Sequence, residues 1–271
     1  MNLTDAKLVF LDLETTGLAP AMGDRIVEIG MVICRGNQEI RRIAQLVDPQ
    51  QPIPANAQEV HGIRDEDVAG SPPFGRISRS VCRALSDAWL IGHNIRFDLG
   101  FLAMEIALAG RSVTPAGCLD TCQLAKALWE LPNYQLDTVA AALDLQRGPV
   151  HRALGDAEAS KAIFDEAVNE LGGWSGVDSA DLEALHAYPP TWPRDPRRSM
   201  PGILYDALTS GRPISIRYVN GEGKSSSREI RPYACFPAGR NVYVRAHCNH
   251  AGQMRTFRLD RIVEFARLEA G

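Results

Sequence analysis

Apolar and polar positions follow two periods along the chain, and the change from one to the other predicts the order of strands and helices. Three short apolar runs at 7–14, 25–34 and 40–47 predict an antiparallel meander of strands. Later apolar positions recur at helical spacing over 74–86, 97–109, 121–130, 136–143 and 153–171, with one further strand at 89–92. This order predicts an α/β fold in which helices pack on a mixed sheet.

The pattern changes after residue 172. Five prolines between 187 and 201 predict a stiff, extended linker, which we assign to 173–200. Beyond the linker, short strand patterns separated by turn signals predict a small β-barrel. These patterns lie at 214–219, 228–233, 241–246, 254–259 and 262–265. We therefore expect a first domain over 1–172 and a second domain over 201–271.

Composition bounds the cellular setting of the chain. With 271 residues, 45% of them hydrophobic, the sequence can bury a sizeable core. No apolar run reaches the roughly 20 residues needed to cross a bilayer, and the N-terminus lacks a basic region followed by an apolar stretch. The six cysteines are scattered and fit reduced thiols. We expect a cytoplasmic protein with no membrane partner.

The net charge of −4 conceals two regions of opposite sign. Residues 1–193 hold 15 basic and 26 acidic side chains, a net −11, whereas residues 194–271 hold 14 and 7, a net +7. The basic residues of the second region are arginines with the one exception of Lys224. They favour contact with an anion such as nucleic acid. An arginine-rich solvated surface explains the same charge equally well.

Two carboxylates interrupt the first apolar run. Asp12 and Glu14 are two residues apart, so in a strand their side chains point to the same side. Two like charges at that spacing repel one another unless a cation lies between them. Either a metal ion binds at this point, or the segment is not a buried strand.

Further acids and histidines stand at predicted junctions between elements. Asp98 follows a strand and begins a helix, the kind of junction where open sheets bind ligands. His151 and Asp156 stand at the entry to another helix, and His61 lies in a His-Gly turn over 59–63. Together with Asp12 and Glu14, these acids suit two hard divalent cations, Mg²⁺ or Mn²⁺. A histidine beside them can take a proton from attacking water.

Three motifs resemble those of a known enzyme family. "FLDLETTGL" at 10–18, "HNIRFDLGF" at 93–101 and "HRALGDA" at 151–157 are similar to the motifs of the DEDDh group of DnaQ-like 3′–5′ exonucleases. This family includes the proofreading epsilon subunit of bacterial replicative polymerase. The resemblance covers about residues 6–171 and implies a ribonuclease H-like fold with two Mg²⁺ or Mn²⁺ ions.

The resemblance also implies roles for individual residues. Asp12, Glu14 and Asp156 would hold the first metal, with Asp12 bridging to the second. Asp98 would support the second metal, and His151 would be the general base. Thr15, Thr16 and Gly17 would hold the 3′-terminal nucleotide, and His61 would line the same pocket. Asn94 and Phe97 would be near neighbours in the substrate-binding site.

The region from 203 to 266 resembles a WYL domain, which implies an Sm/SH3-like barrel that senses a nucleotide or single-stranded nucleic acid. The resemblance rests on "ISIRYVNGEGKSSSREIRPYACF", "NVYVRAHC" and "RTFRLDRI". Val242-Tyr243-Val244 stands where the family has its naming Trp-Tyr-Leu triplet. Arginine suits a nucleic-acid face because its planar fork grips phosphate and stacks on bases. The candidates for that face are Tyr218, Arg228, Arg231, Arg255 and Arg258; the alternative is that some of these arginines pair with Asp260, Glu229 and Glu264.

These observations together predict a metal-dependent 3′–5′ exonuclease. It would remove nucleoside monophosphates from the 3′ end of DNA, preferentially single-stranded, in DNA repair or replication. One alternative is a 3′–5′ exoribonuclease acting on RNA. Another is a regulatory module that senses nucleic acid or a nucleotide and uses the acidic cleft only for binding.

Overall fold

The three apolar runs at the start of the chain form the predicted meander in the computed structural model, which describes residues 2–20, 23–146, 151–193, 200–238 and 241–268. The strands are β1 (Lys7–Thr15), β2 (Ile26–Arg35) and β3 (Gln38–Leu46). β1 pairs antiparallel with β2, and β2 pairs antiparallel with β3. The prediction of a meander is therefore confirmed.

Two parallel strands complete the first sheet. β4 (Trp89–Gly92) pairs in parallel with β1, and β5 (Gly117–Asp120) pairs in parallel with β4. The resulting order is β3-β2-β1-β4-β5, a mixed sheet of the kind predicted. The sequence pattern did not indicate β5, because Gly117-Cys118-Leu119-Asp120 has only two apolar residues and runs directly into α5 (Thr121–Leu128).

The first sheet is covered on both faces, since β1 buries alternate side chains on opposite sides. Val9 and Leu11 belong to one apolar cluster, which includes side chains of two helices, α3 (Phe74–Leu85) and α4 (Arg96–Leu108). Leu8 and Phe10 belong to a second cluster with α5 (Thr121–Leu128) and α7 (Ala153–Glu170). The other helices of this region are α1 (Ala55–His61), α2 (Asp65–Val68), α6 (Leu136–Ala142) and α8 (Ser179–Ala184).

His61 lies in a different local structure from the one predicted. It is the last residue of α1, and Gly62 ends that helix in the left-handed region at φ 72°. The prolines at 49, 52 and 54 suggested a break, but Pro54 stands at the N-cap, where its fixed φ and missing N–H do not interrupt helical hydrogen bonds. The predicted His-Gly turn is therefore the end of a helix.

The segment predicted as an extended linker is packed along its described part. Leu182 of α8 is fully buried, and Val177 lies in the same cluster as Phe10. Trp192 packs against the cluster that contains Leu11. These apolar side chains among the prolines explain why residues 174–193 fold onto a core instead of remaining extended. Residues 194–199 lie outside the described residues.

The chain divides into two units. The first consists of Met1–Leu18, Arg25–Ile106 and Arg111–Arg194, and the second of Ala19–Asp24, Ala107–Gly110 and Asp195–Gly271. In the part of the chain that the structure describes, no helix combines the length and the hydrophobicity that crossing a bilayer requires.

In its described part, the second unit contains one α-helix, a short 3₁₀ helix at Leu259–Arg261 and one antiparallel sheet of five strands. The elements are α9 (Gly202–Ser210), β6 (Ile214–Val219), β7 (Ser225–Ala238), β8 (Asn241–Cys248), β9 (Gln253–Arg258) and β10 (Ile262–Arg267). The core includes Leu204 of α9 and strand residues such as Ile216, Ile230, Val244 and Phe257. The strand order is β10-β6-β7-β8-β9, so among the described residues β9 and β10 stand at opposite edges and do not pair, and the predicted closed barrel is not shown.

Candidate active site

Three carboxylates meet where α7 crosses the end of β1. Asp12 and Glu14 share the face of β1 that carries Phe10, and Phe10 packs edge-on against Phe164 of α7 with ring centroids 5.3 Å apart. Asp156 lies in the first turn of α7. One carboxylate oxygen from each of Asp12, Glu14 and Asp156 can be chosen so that all three lie within 4.8 Å of one another. We call these three residues the acidic cluster.

A glycine allows this close approach. Gly30 of β2 is the register partner of Asp12. A Cβ atom on Gly30 would lie 2.1 Å from the carbonyl carbon of Ala153, the first residue of α7. Any larger residue would push the start of α7 away from the sheet, so the absent side chain permits Asp156 to reach Asp12.

A buried ion pair fixes the same helix start. Glu28 of β2 is 2% exposed and accepts hydrogen bonds from the Arg152 guanidinium, the shortest of them 2.6 Å. The other Glu28 oxygen accepts the Ala153 N–H at 3.0 Å. Glu28 thus ties β2 to the residues between His151 and Asp156. Glu28 was not among the predicted site residues, although it is a carboxylate inside an apolar strand, the same signal that identified Asp12.

Asp98 is close to the acidic cluster but is not one of its three residues. It lies in the first turn of α4 and is 3% exposed. Its Oδ1 is buried and has no hydrogen-bond partner among the described residues. A buried carboxylate oxygen without a partner is costly, so this atom is suited to a ligand that supplies positive charge.

The acids hold their protons more tightly than usual. Burial raises the pKa of Glu14 to about 8, with further contributions from Asp156 and Glu28 that Arg152 partly offsets. Burial also raises the pKa of Asp12 well above its ordinary value, and Asp98 and Asp156 add to that shift. The pKa of Asp98 is raised chiefly by burial. Carboxylate oxygens that lie together with too little positive charge nearby to balance them fit divalent cations.

The residues that follow β1 form a hydrogen-bonded turn. The Thr15 hydroxyl donates to the Gly17 carbonyl at 2.6 Å, and the Thr16 hydroxyl oxygen accepts from the Arg25 N–H at 2.9 Å. The Arg25 guanidinium in turn donates to both oxygens of Glu105 on α4, at 2.6 and 2.8 Å. The predicted nucleotide-binding turn is thus held between β2 and α4.

The two histidines of the predicted site differ in exposure. His61 is 6% exposed, and its Nδ1 accepts the Ile63 N–H at 3.0 Å, which leaves the proton of the neutral ring on Nε2. Burial lowers the pKa of His61, and the charge of His151 adds a smaller contribution in the same direction. His151 is exposed, with φ 56°, two residues before α7 begins. Water can therefore reach the predicted base.

The loop between β4 and α4 contains the remaining predicted nucleotide contacts. Asn94 is exposed, adopts φ 63° and donates its backbone N–H to the Asp120 carboxylate at 3.1 Å. Phe97 packs against Phe101, with ring centroids 4.9 Å apart. Asp120 itself caps α5 by accepting the N–H groups of Cys122 and Gln123, so this buried acid has a structural role.

The candidate residues of the second unit lie on two faces. Tyr218, Arg228 and Arg255 share the core-side face. Tyr218 is two residues after the buried Ile216 in β6, Arg228 pairs directly with Ile216, and Arg255 pairs directly with the buried Ala246. Arg231 and Arg258 point to the other face. Arg258 forms an ion pair with Asp260 at 2.6 Å, as the alternative interpretation expected for some of these arginines. The structure does not bring the five candidates onto one surface.

Comparison of the sequence with known proteins finds nucleases that are similar to the first unit. A family model described as "Exonuclease" matches residues 9–164, and a WYL domain model matches residues 202–267. The chain is 33% identical over 166 residues to "3'-5' exonuclease DinG" of Bacillus subtilis (strain 168), covering 61% of this chain and 18% of that protein. It is also 33% identical over 170 residues to "DNA polymerase III PolC-type" of Bacillus cereus, covering 62% of this chain and 12% of that protein.

A solved structure is similar over the same region. "Exonuclease X in complex with 5' overhanging duplex DNA" has a TM-score of 0.52 and 25% sequence identity, and the match covers 66% of this chain and 98% of that one. The chain spans less than a fifth of the length of either curated relative. The similarity to these relatives and to this structure is therefore a similarity of the nuclease domain.

Proposed function

Because the chain belongs to the exonuclease family, we propose that it hydrolyses phosphodiester bonds from the 3′ end of DNA and releases nucleoside monophosphates. The observation that carries this proposal is the acidic cluster, in which three carboxylates from β1 and α7 bring oxygen atoms within 4.8 Å of one another. A cluster of this kind suits phosphodiester hydrolysis because hard cations bind both carboxylate and phosphate oxygens.

We assign two divalent cations, Mg²⁺ or Mn²⁺, to this site. Asp12, Glu14 and Asp156 would hold the first, and Asp12 with Asp98 the second. When bound, such ions stabilise the charge on the attacking and leaving oxygens of a phosphodiester. The raised pKa values of Glu14 and Asp12 and the partnerless Oδ1 of Asp98 support this assignment.

The chain's own residues supply the rest of the chemistry. His151 would take the proton of the attacking water, and its exposure lets that proton pass to solvent. The Glu28–Arg152 ion pair holds the helix start between His151 and Asp156 and so fixes their separation. Thr15, Thr16 and Gly17 would position the terminal nucleotide, with His61 lining the pocket.

The second unit would hold or sense a single strand. Tyr218, Arg228 and Arg255, which share one face of its sheet, are the stronger candidates for contact with phosphates and bases. Closure of this sheet into an Sm-like barrel and the domain limits 1–172 and 201–271 belong to the same proposal. If these arginines contact phosphates, Arg255→Gln should reduce the salt slope of DNA binding by about one unit. An unchanged slope would contradict this role.

We place the protein in the cytoplasm, acting in DNA repair or replication. The six cysteines support a reducing compartment, because all of them are free and five are buried. The preference for single-stranded DNA is part of the proposal.

The first experiment measures cleavage directly. The protein is incubated with Mg²⁺ or Mn²⁺ and with 5′-labelled single-stranded DNA, a matched RNA or a duplex with a recessed 3′ end. Asp12→Ala is the inactive variant, and Glu66→Ala on the exposed surface of α2 is its matched control. We expect a metal-dependent ladder that shortens from the 3′ end and disappears only in Asp12→Ala.

Other outcomes would favour the alternatives. Faster shortening of RNA than of DNA would identify an exoribonuclease. Tight binding without cleavage of any of the three polymers would indicate a sensing module whose acids serve only for docking.

A further inference from the structure

A cavity of about 420 Å³ lies in the first unit, and its lining residues do not include the three acids of the acidic cluster. Asn94 lines it from the loop after β4, Gln123 and Lys126 from α5, and Tyr188 from the segment after α8. Arg96, at the start of α4, lines it as well. The volume is within the range of small-ligand sites and suits a single nucleotide.

The sheet places this cavity and the acidic cluster at the same ends of its parallel strands. β1, β4 and β5 run parallel, so their carboxyl ends meet at one edge of the sheet. The acidic cluster lies at the end of β1, and the cavity lies at the ends of β4 and β5. Neighbouring strands are spaced by about 4.8 Å, so the cavity is about 5–10 Å farther along this edge. A chain whose 3′ end reaches the cluster and follows this edge meets the cavity within a few nucleotides.

The cavity wall has the charge that a polyanion requires. Arg96 and Lys126 line it, and among the described residues neither is paired with a carboxylate. The Arg96 guanidinium donates only to the backbone carbonyls of Tyr188 and Pro189, at 2.9 and 3.0 Å. The Lys126 ammonium lies 5.7 Å from the centre of the Tyr134 ring. The carboxylate of Asp120, which also lines the cavity, accepts three backbone N–H groups.

The cavity wall also presents an aromatic ring to solvent. Tyr188 is 73% exposed, although its backbone is fixed on both sides. The Gln123 side chain donates to the Tyr188 carbonyl at 2.8 Å and accepts the Tyr188 N–H at 2.9 Å. Two residues earlier, the buried His186 accepts the Asp120 N–H at 2.8 Å and contacts the Leu182 carbonyl at 2.8 Å through its other nitrogen. The ring is thus exposed on an anchored segment.

We propose that this cavity binds an unpaired nucleotide about two or three positions from the 3′ end of the substrate, with Tyr188 stacking on its base and Arg96 and Lys126 facing the phosphates. The inference rests on the proposed function and adds a reason for single-strand preference. A base inside a duplex already has both faces covered by its neighbours and cannot stack on Tyr188. A single strand can present a free base face.

The test compares two substrates on the full chain with Mn²⁺. One is a six-nucleotide single-stranded DNA, which is long enough to reach the cavity. The other is the 4-nitrophenyl ester of thymidine 5′-phosphate, which occupies only the acidic cluster. Tyr188→Ala should lower the ratio of kcat/KM for the oligonucleotide to kcat/KM for the ester about tenfold, chiefly through KM, because one base loses its stacking partner.

Matched variants distinguish the loss of base stacking from the loss of positive charge and from an unspecific effect of a surface substitution. Tyr188→Phe keeps the ring and should keep the wild-type ratio. Lys126→Gln should reduce the salt slope of oligonucleotide binding by about one unit. Arg83→Gln serves as the control. Arg83 is exposed on α3, and its carbonyl contacts Lys7 at the amino end of β1, opposite the carboxyl ends of the strands where the cavity lies.

The outcomes distinguish the two proposals. Hydrolysis of the ester with an unchanged ratio in Tyr188→Ala would overturn the cavity assignment and leave the proposed function standing. If the wild type hydrolyses neither substrate, the proposed function fails. In that case, binding of the single strand to Asp12→Ala, with and without Tyr188→Ala, still tests the cavity. Weaker binding of the double variant supports the assignment, and equal binding refutes it.

Discussion

Binding of a divalent cation to the acidic cluster should release protons, and Glu14 allows the number to be worked out. Burial raises the pKa of its carboxyl to about 8, so at pH 7 about nine in ten molecules of the metal-free protein carry a proton on Glu14. A carboxylate must lose this proton to bind a cation. Glu14 should therefore contribute about 0.9 protons at pH 7 and about 0.1 at pH 9. Asp12 and Asp98, whose pKa values are also raised, can only add to this release.

Isothermal titration calorimetry of Mn²⁺ binding measures this release when it is repeated in buffers that differ in ionisation enthalpy. The wild type should release about one proton or more at pH 7 and progressively fewer as the pH rises to 9. Glu14→Gln should remove most of that dependence, whereas Glu66→Gln, which changes an exposed carboxyl of α2, should retain it. Release of less than about half a proton by the wild type at pH 7 would refute the reasoning, as would equal release by wild type and Glu14→Gln.

Three further predictions concern the same site. Without cations, Glu14→Gln should raise the melting temperature at pH 8–9 but not at pH 5. The pKa of Glu14 is raised from 4.5 to about 8, so ionising this carboxyl costs the folded state up to about 5 kcal/mol as the pH rises from 4.5 to 8; equal shifts at both pH values would contradict this. Glu28→Gln should lower kcat about 10- to 100-fold with little change in KM, since it loosens the helix start that carries Asp156; an unchanged kcat in steady-state assays would remove its positioning role. Asp98→Asn should abolish cleavage while stabilising the metal-free protein, because a neutral amide replaces a buried carboxylate whose Oδ1 has no hydrogen-bond partner among the described residues; loss of thermal stability would argue against that account.

Much of the nuclease domain could be predicted because its signals are local. Buried strands such as β4 are short apolar runs, and the i, i+2 rule put Asp12 and Glu14 on the same side of β1. The position of Asp156 over Asp12 depends on an approach across the chain that Gly30 permits, and neither periodicity nor composition reports such a contact. The sequence therefore grouped these acids by their shared chemistry and by the similarity of the motifs, and not by a predicted contact between β1 and α7.

Other features were missed for identifiable reasons. Glu28 was passed over because a single acid in an otherwise apolar strand gives no sign of its partner, and Arg152 is 124 residues away along the chain. The arginines of the second unit were grouped by charge alone. Arg228 and Arg231 are three residues apart in one strand, and an odd spacing places side chains on opposite faces. This rule was available from the sequence and would have divided the group.

The contact between Glu28 and Arg152 also bears on when the acidic cluster can form. The two sides of the acidic cluster are separated by more than a hundred residues, so a growing chain that has completed the meander still lacks Asp156. Formation of such long-range contacts is slow, because the intervening chain must first be closed into a loop. The acidic cluster is therefore complete only after α7 has been synthesised and has docked on β2. A chain that stops before Asp156 cannot assemble it.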